Sequence, residues 1–164
     1  MEDVIDRFKT SEIAERLVFQ WFLDKGYSIR LLRAIPQWVR SNMRFNYDND
    51  IALIKHFPDA ELTSPISGNH LLQIKAAPNG SNYPTLTIEQ ASLIACKRLS
   101  EIGVPVILWW ITDNGSFWNY AKEITPIKPK PKRHELKGSQ TPMFLVPKKQ
   151  LKEEVELSLC PIIE

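Results

Sequence analysis

A chain of 164 residues, 43% apolar and 24% charged, has the size and composition of one folded domain, not of a disordered segment. Its longest apolar run, "VPVILWWI" at 104–111, is less than half of what spans a bilayer, and "MEDVIDRFKT" lacks a basic end followed by an apolar core. The net charge of +2 hides a local excess, because residues 121–152 carry nine basic side chains against two acidic ones. These totals predict a soluble protein with no export signal, by default cytoplasmic.

The first element begins near Thr10, where Ile13, Ala14, Leu17, Val18, Trp21 and Phe22 recur at helical spacing behind the capping-type residues "TSE". Gly26 ends it. "YSIRLLRAI" follows as a strand and "PQWVRSN" as an irregular connection. "DIALIKHF" (50–57) has strand length, "PDAELTSPISGN" is rich in turn formers, and "HLLQIKA" returns, so an antiparallel hairpin is expected. "TLTIEQASLIACKRLSEIG" reads as a second helix, opened by Thr87 and closed by Gly103. "VPVILWWITD" is a strand buried on both faces, where Trp109 and Trp110 supply bulk, and Asn-Gly turns the chain into "SFWNYAKEI". The order is α-β-β-β-α-β-β, an α/β fold. Residues 1–120 form the core, and 121–164 a basic Pro/Lys-rich extension packed on or extending from the same domain.

Cys96 and Cys160 stand alone, without the spacing of a metal site, which fits a reducing compartment. His56, His70 and His134 are likewise scattered. The polar pair inside the apolar run of "NHLLQIKAAP" is more informative. Gln73 and Lys75 lie two residues apart on a strand and project from one face, while Leu72, Ile74 and Ala76 pack behind. That is half of a site or one wet face. Two similar triplets, Glu135-Leu136-Lys137 and Gln150-Leu151-Lys152, fall in the Pro/Lys loop and in a charged tail expected to be helical. Only Gln73-Ile74-Lys75 lies on a hairpin between two core helices, where a site can be held rigidly.

With this order and motif, residues 10–120 resemble the PD-(D/E)XK nuclease superfamily, whose core is helix, three strands of which two form a hairpin, helix, strand. The resemblance implies a restriction-endonuclease-like mixed sheet flanked by helices, and a site in which carboxylates hold Mg²⁺ (Mn²⁺ possible) for hydrolysis of DNA phosphodiesters. Gln73 stands where the family usually has an acid, a variant of the Mrr-like restriction branch, and removes one negative charge. Lys75 would orient or help deprotonate the attacking water. For the helix acid, "AERLVFQWFLDKGY" resembles the family's first helix and selects Glu15, at the border of the apolar stripe. Two residues compete for the strand acid. Asp59 belongs to a literal "PD" fourteen residues before Gln73, with "AEL" as a short strand, whereas Asp50 opens the longer strand and is preferred, since pairing Phe57 with His70 would set it near Lys75. Gln90, Lys97 and Arg98 on the second helix, and Lys128, Lys130, Lys132 and Arg133 in "PIKPKPKRHELKG", could contact phosphate or be ordinary solvated side chains. A homodimer or larger assembly would be needed to cut both strands. The rivals are a catalytically degenerate protein that binds nucleic acid or a protein partner, and an unrelated α/β domain in which "QIK" is merely a wet hairpin face.

Overall fold

The computed structural model describes residues 2–32, 57–128 and 142–159. The described residues form an α/β fold with two α-helices and a mixed six-stranded sheet. Helix α1 (Glu2–Asp24) begins earlier than the stripe of apolar residues predicts, and it buries that stripe through Ala14, Val18 and Phe22, four residues apart. It closes in a Schellman motif: the Tyr27 N–H donates to the Phe22 carbonyl (3.1 Å) and the Gly26 N–H to the Leu23 carbonyl (3.0 Å). Gly26 takes the left-handed φ of 86° that this ending requires.

Strand β1 (Ser28–Leu31) pairs antiparallel with β2 (Ala60–Ser64), and β2 with β3 (Gly68–Ala77). Here the hairpin differs from expectation. The outgoing strand is "AELTS", not "DIALIKHF"; residues 50–56, including Asp50, lie outside the described residues, and Phe57 is in no strand. The turn is confined to the residues between Ser64 and Gly68, so "AEL", the short strand of the Asp59 alternative, pairs with β3. The Ser64 hydroxyl accepts the Ile66 N–H (3.2 Å), which tightens that turn.

Beyond β3 the segment "TLTIE" is not helix. Thr85–Glu89 is strand β4, paired antiparallel with β7 (Met143–Pro147) in a separate two-stranded sheet, and helix α2 spans Gln90–Glu101. The alternation is of period two: Leu86 and Ile88 are buried while Thr87 is exposed. Helix α2 carries the chain to β5 (Val106–Thr112), which lies parallel to β3 and is buried at every position. Strand β6 (Gly115–Tyr120) returns antiparallel, and β8 (Lys152–Glu154) pairs with β6 as the last strand. The tail holding Gln150-Leu151-Lys152 is therefore a single 3₁₀ turn and a strand, not an α-helix. Gln150 is tied down by its side chain, which exchanges hydrogen bonds with the backbone of Thr125 (2.9 and 3.0 Å).

The sheet order is β1-β2-β3-β5-β6-β8, and side-chain alternation divides the core in two. Leu72, Ile74, Ile107, Trp109 and Ile111 pack with α1. Leu71, Leu108 and Trp110 pack on the other face with α2 and the β4–β7 pair. The Trp110 indole N–H donates to the Thr87 carbonyl (2.9 Å), which anchors β4 over that face. Among the described residues no helix is long and apolar enough to cross a membrane.

Candidate functional site

Gln73 and Lys75 leave β3 on the face covered by α2, as their spacing predicts, but they are not a wet face. Gln73 is 8% exposed and Lys75 half-buried. A buried amide needs partners, and the chain supplies one from the neighbouring strand. The register that sets Ala60 opposite Leu72 runs on to place Asp59 beside Gln73. There the Gln73 Nε2 donates to Asp59 Oδ2 (3.1 Å), and the same oxygen accepts the Ile74 backbone N–H (2.8 Å). The Asp59 backbone is fixed as well: its N–H donates to the Leu72 carbonyl (2.9 Å) and its carbonyl accepts from Leu32 (3.0 Å). Asp59 is thus held by β1 on one side and β3 on the other, where pairing of the hairpin ends. Hydrogen bonds to a charged group contribute about 1.5–3 kcal/mol each, enough to hold one carboxylate geometry.

Cys96 of α2 lies over this pair. Burial pushes its thiol up to about 12, with the Lys75 ammonium opposing and the Asp59 carboxylate reinforcing that rise.

The other candidates are placed as follows. Glu15 is half-buried beside Ala14 on α1, at the border of the stripe as expected, although α1 covers the opposite face of the sheet. Gln90 is the first residue of α2, and its Nε2 donates to the Met143 carbonyl (3.1 Å), so this donor serves the joint between α2 and β7. Lys97 is half-buried, and Arg98 and Lys128 are exposed. Lys130, Lys132 and Arg133, like Asp50, lie outside the described residues. Among the described residues no group of three or more His, Cys, Asp and Glu gathers closely enough to hold a metal ion.

Asp50, favoured by strand length, is outside the described residues; the contact to Gln73 belongs to Asp59. A second polar cluster escaped sequence reading. At the far end of β5 the Asp113 carboxylate accepts the Ser81 hydroxyl (2.6 Å) and the Ser81 N–H (3.2 Å). The hydroxyl hydrogen bond is the main cause holding Asp113 below the usual carboxylate range. No local signal joins residues 81 and 113.

Fold and geometry together define an α/β protein with a polar, partly buried cluster at the end of a β-hairpin. Compared with known protein families and with curated proteins, the chain matches none.

Proposed function

We propose that the chain is a metal-dependent DNA endonuclease on a restriction-endonuclease-like core, hydrolysing phosphodiester bonds in a restriction-like, junction-resolving, mobile-element or repair role. The observation that carries this reading is the Asp59–Gln73 contact at 3.1 Å, with Lys75 two residues on and projecting from the same face. The order of the described elements in the main sheet also supports it: a helix, three strands of which the second and third form a hairpin, then, after β4 of the separate two-stranded sheet, a helix and a strand parallel to the third.

The donors suit a hard divalent cation. Asp59 offers a carboxylate fixed by backbone, and with its nitrogen turned to Asp59 the Gln73 amide presents Oε1 as its other polar atom. Mg²⁺ is commonly held by one or two carboxylates and completed by water and substrate phosphate. When bound it supplies a more acidic water and charge to offset that building on the phosphate. Asp59 and Gln73 would hold it; Glu15, the further acid the resemblance implies, stands on the helix that covers the opposite face of the sheet. Lys75 orients the attacking water and stabilises the developing negative charge. The basic stretch from Lys128 onward tracks the backbone of the DNA, and a homodimer brings two sites to two strands.

One observation favours a second reading, a nucleic-acid-binding protein that no longer cleaves. An amide replaces the usual acid, and its N–H is spent on the remaining carboxylate. Cleavage of supercoiled plasmid and branched DNA with Mg²⁺ or Mn²⁺ separates the two. Nicking that depends on metal and is lost in Lys75→Ala and Asp59→Asn is the expected result. Stable DNA binding without cutting in either metal gives the second reading.

A further inference from the structure

On the α1 face of the sheet, away from Asp59 and Lys75, a cleft of about 190 Å³ is walled by six aromatic rings: Trp21, Phe22, Tyr27, Trp109, Trp118 and Tyr120. The rings are ordered against one another. Trp109 and Trp118 stack at 5.9 Å with 5° between their planes, and Phe22 meets Trp109 edge-on at 5.4 Å. Three residues of this wall each hold a buried nitrogen with no hydrogen-bond partner among the described residues: Trp109 Nε1, Trp118 Nε1 and His70 Nδ1. Buried polar atoms are rarely left so, and three in one cleft is a concentration that packing alone does not require. Two ammonium groups stand at its rings, Lys25 4.1 Å from the Trp21 centroid and Lys152 4.6 Å from that of Trp118. Glu154 is the acid on the rim. His70 and Tyr120 also line a second cavity, of about 360 Å³, flanked by Ser100 and Lys122.

Each feature narrows the ligand. Indole N–H groups only donate, so the ligand must carry acceptors, which a quaternary ammonium or a plain hydrocarbon ring does not. The lysines at the rings repel a further cation and attract an anion. The aromatic walls favour a flat π-system, and the volume, below the roughly 300–1,000 Å³ of sites for drug-sized ligands, suits one ring system with its substituents continuing outward. We infer that the cleft between α1 and strands β5 and β6 binds a nucleobase carrying a phosphate, its ring among the aromatic side chains and its acceptors toward the unpaired N–H groups. Such a base comes from a free nucleotide or from an unpaired position in a strand. The inference does not rest on the nuclease reading, since none of its residues belongs to the Asp59 site.

The test is an NMR titration of protein labelled with ¹⁵N-tryptophan, using dAMP, thymidine and the octamer dT8. The indole signals of Trp109 and Trp118 should move on binding, while that of Trp110, already bonded to the Thr87 carbonyl on the other face, stays. Lys25→Ala with Lys152→Ala, both exposed side chains, should weaken dAMP and dT8 more than phosphate-free thymidine. Trp118→Leu should cost about tenfold or more, and Asp59→Asn should leave binding unchanged. Saturation by dAMP at the affinity of dT8 assigns the cleft to free nucleotides; much tighter binding of dT8 assigns it to an unpaired base. Absence of any saturable shift at millimolar dAMP and dT8 in folded protein overturns the inference. So do shifts produced by tetramethylammonium in their place, or binding that survives all three substitutions.

Discussion

Gln73→Glu puts an acid beside Asp59 and tests the geometry of the candidate site without presuming activity. Asp59 Oδ2 now faces an amide N–H at 3.1 Å; the substitution removes that donor and puts a second carboxylate beside the first. The lost bond to a charged acceptor costs about 1.5–3 kcal/mol. Like charges 4 Å apart repel by about 4 kcal/mol at an effective dielectric of 20, which turning of the new side chain and proton uptake reduce. A net destabilisation of about 2–4 kcal/mol is expected at pH 8 in chelator, or about 4–16 °C in Tm for a chain of this size. Repulsion raises the affinity of the introduced carboxyl for its proton in the folded state. The penalty is therefore full above that raised pKa and shrinks as pH falls through it toward the ordinary Glu value near 4.3. A divalent cation that binds only the folded protein returns about 2.7 kcal/mol at a hundred times its Kd, so 10 mM Mg²⁺ should raise the Tm of the variant more than that of the wild type. Thermal melts followed by circular dichroism, with and without Mg²⁺ at pH 5 and 8, read all of this. A variant melting within a degree of wild type in chelator at pH 8 would refute the Asp59–Gln73 contact, and equal Mg²⁺ responses would refute the cation site.

Gly80→Ala should destabilise by about 1–3 kcal/mol, because its Cβ would sit 2.7 Å from Thr112 Cγ2 and 3.0 Å from Leu86 Cδ2. Thr112→Ser removes that methyl yet keeps the hydroxyl bonded to the Gly115 carbonyl, so denaturant melts of the double variant should recover part of the loss; strict additivity would contradict the packing. In a Cys160→Ser background, Cys96 should resist iodoacetamide at pH 8 until the protein unfolds, since burial pushes its thiol up to about 12. Mass spectrometry showing rapid labelling of the native protein would place Cys96 elsewhere. The depressed Asp113 carboxyl adds stability that is fully present above the unfolded value near 3.8 and is lost as pH falls through the lower folded value. Ser81→Ala should accordingly lower stability at pH 7, with the gap to wild type closing in acid; a gap constant down to pH 2 would show that the hydroxyl acts otherwise.

What was legible in the sequence followed from local period. The stripe of α1, the returning strand with Gln73 and Lys75 on one face, the buried "VILWWIT" and the Asn-Gly turn after it all stand where their patterns put them. The failures share a different cause. "TLTIE" alternates with period two, yet it runs into α2 without a Gly or Pro, so its strand character was absorbed into the helix; its partner β7 is remote in sequence. Strand length favours Asp50, which lies outside the described residues, whereas the pairing of Ala60 with Leu72, remote in sequence, sets Asp59 next to Gln73. The aromatic cleft was invisible for the same reason, because Trp21 reads as part of a helix stripe and Trp109 as bulk in a buried strand, and only the packing of α1 on β5 and β6 brings them together with Trp118.

Strand β3 explains why a buried strand tolerates polar residues at all. Its alternation sends Leu72 and Ile74 to α1, and Gln73 and Lys75 to α2. On the α2 face, Leu71 near the start of the strand packs into the apolar core. Pairing with β2 stops at Ala60, so the Ile74 N–H would lose its strand partner, and it is the Asp59 carboxylate that takes it. A charge placed there to complete a backbone ladder needs a further donor, which the Gln73 amide provides. The polar cluster thus has a structural reason to exist before any catalytic one, and the two are separable: Asp59→Asn keeps an oxygen for the Ile74 N–H but removes the charge. If the site serves only the ladder, that variant stays close to wild type in both stability and DNA cleavage; if it serves chemistry, stability holds while cleavage is lost.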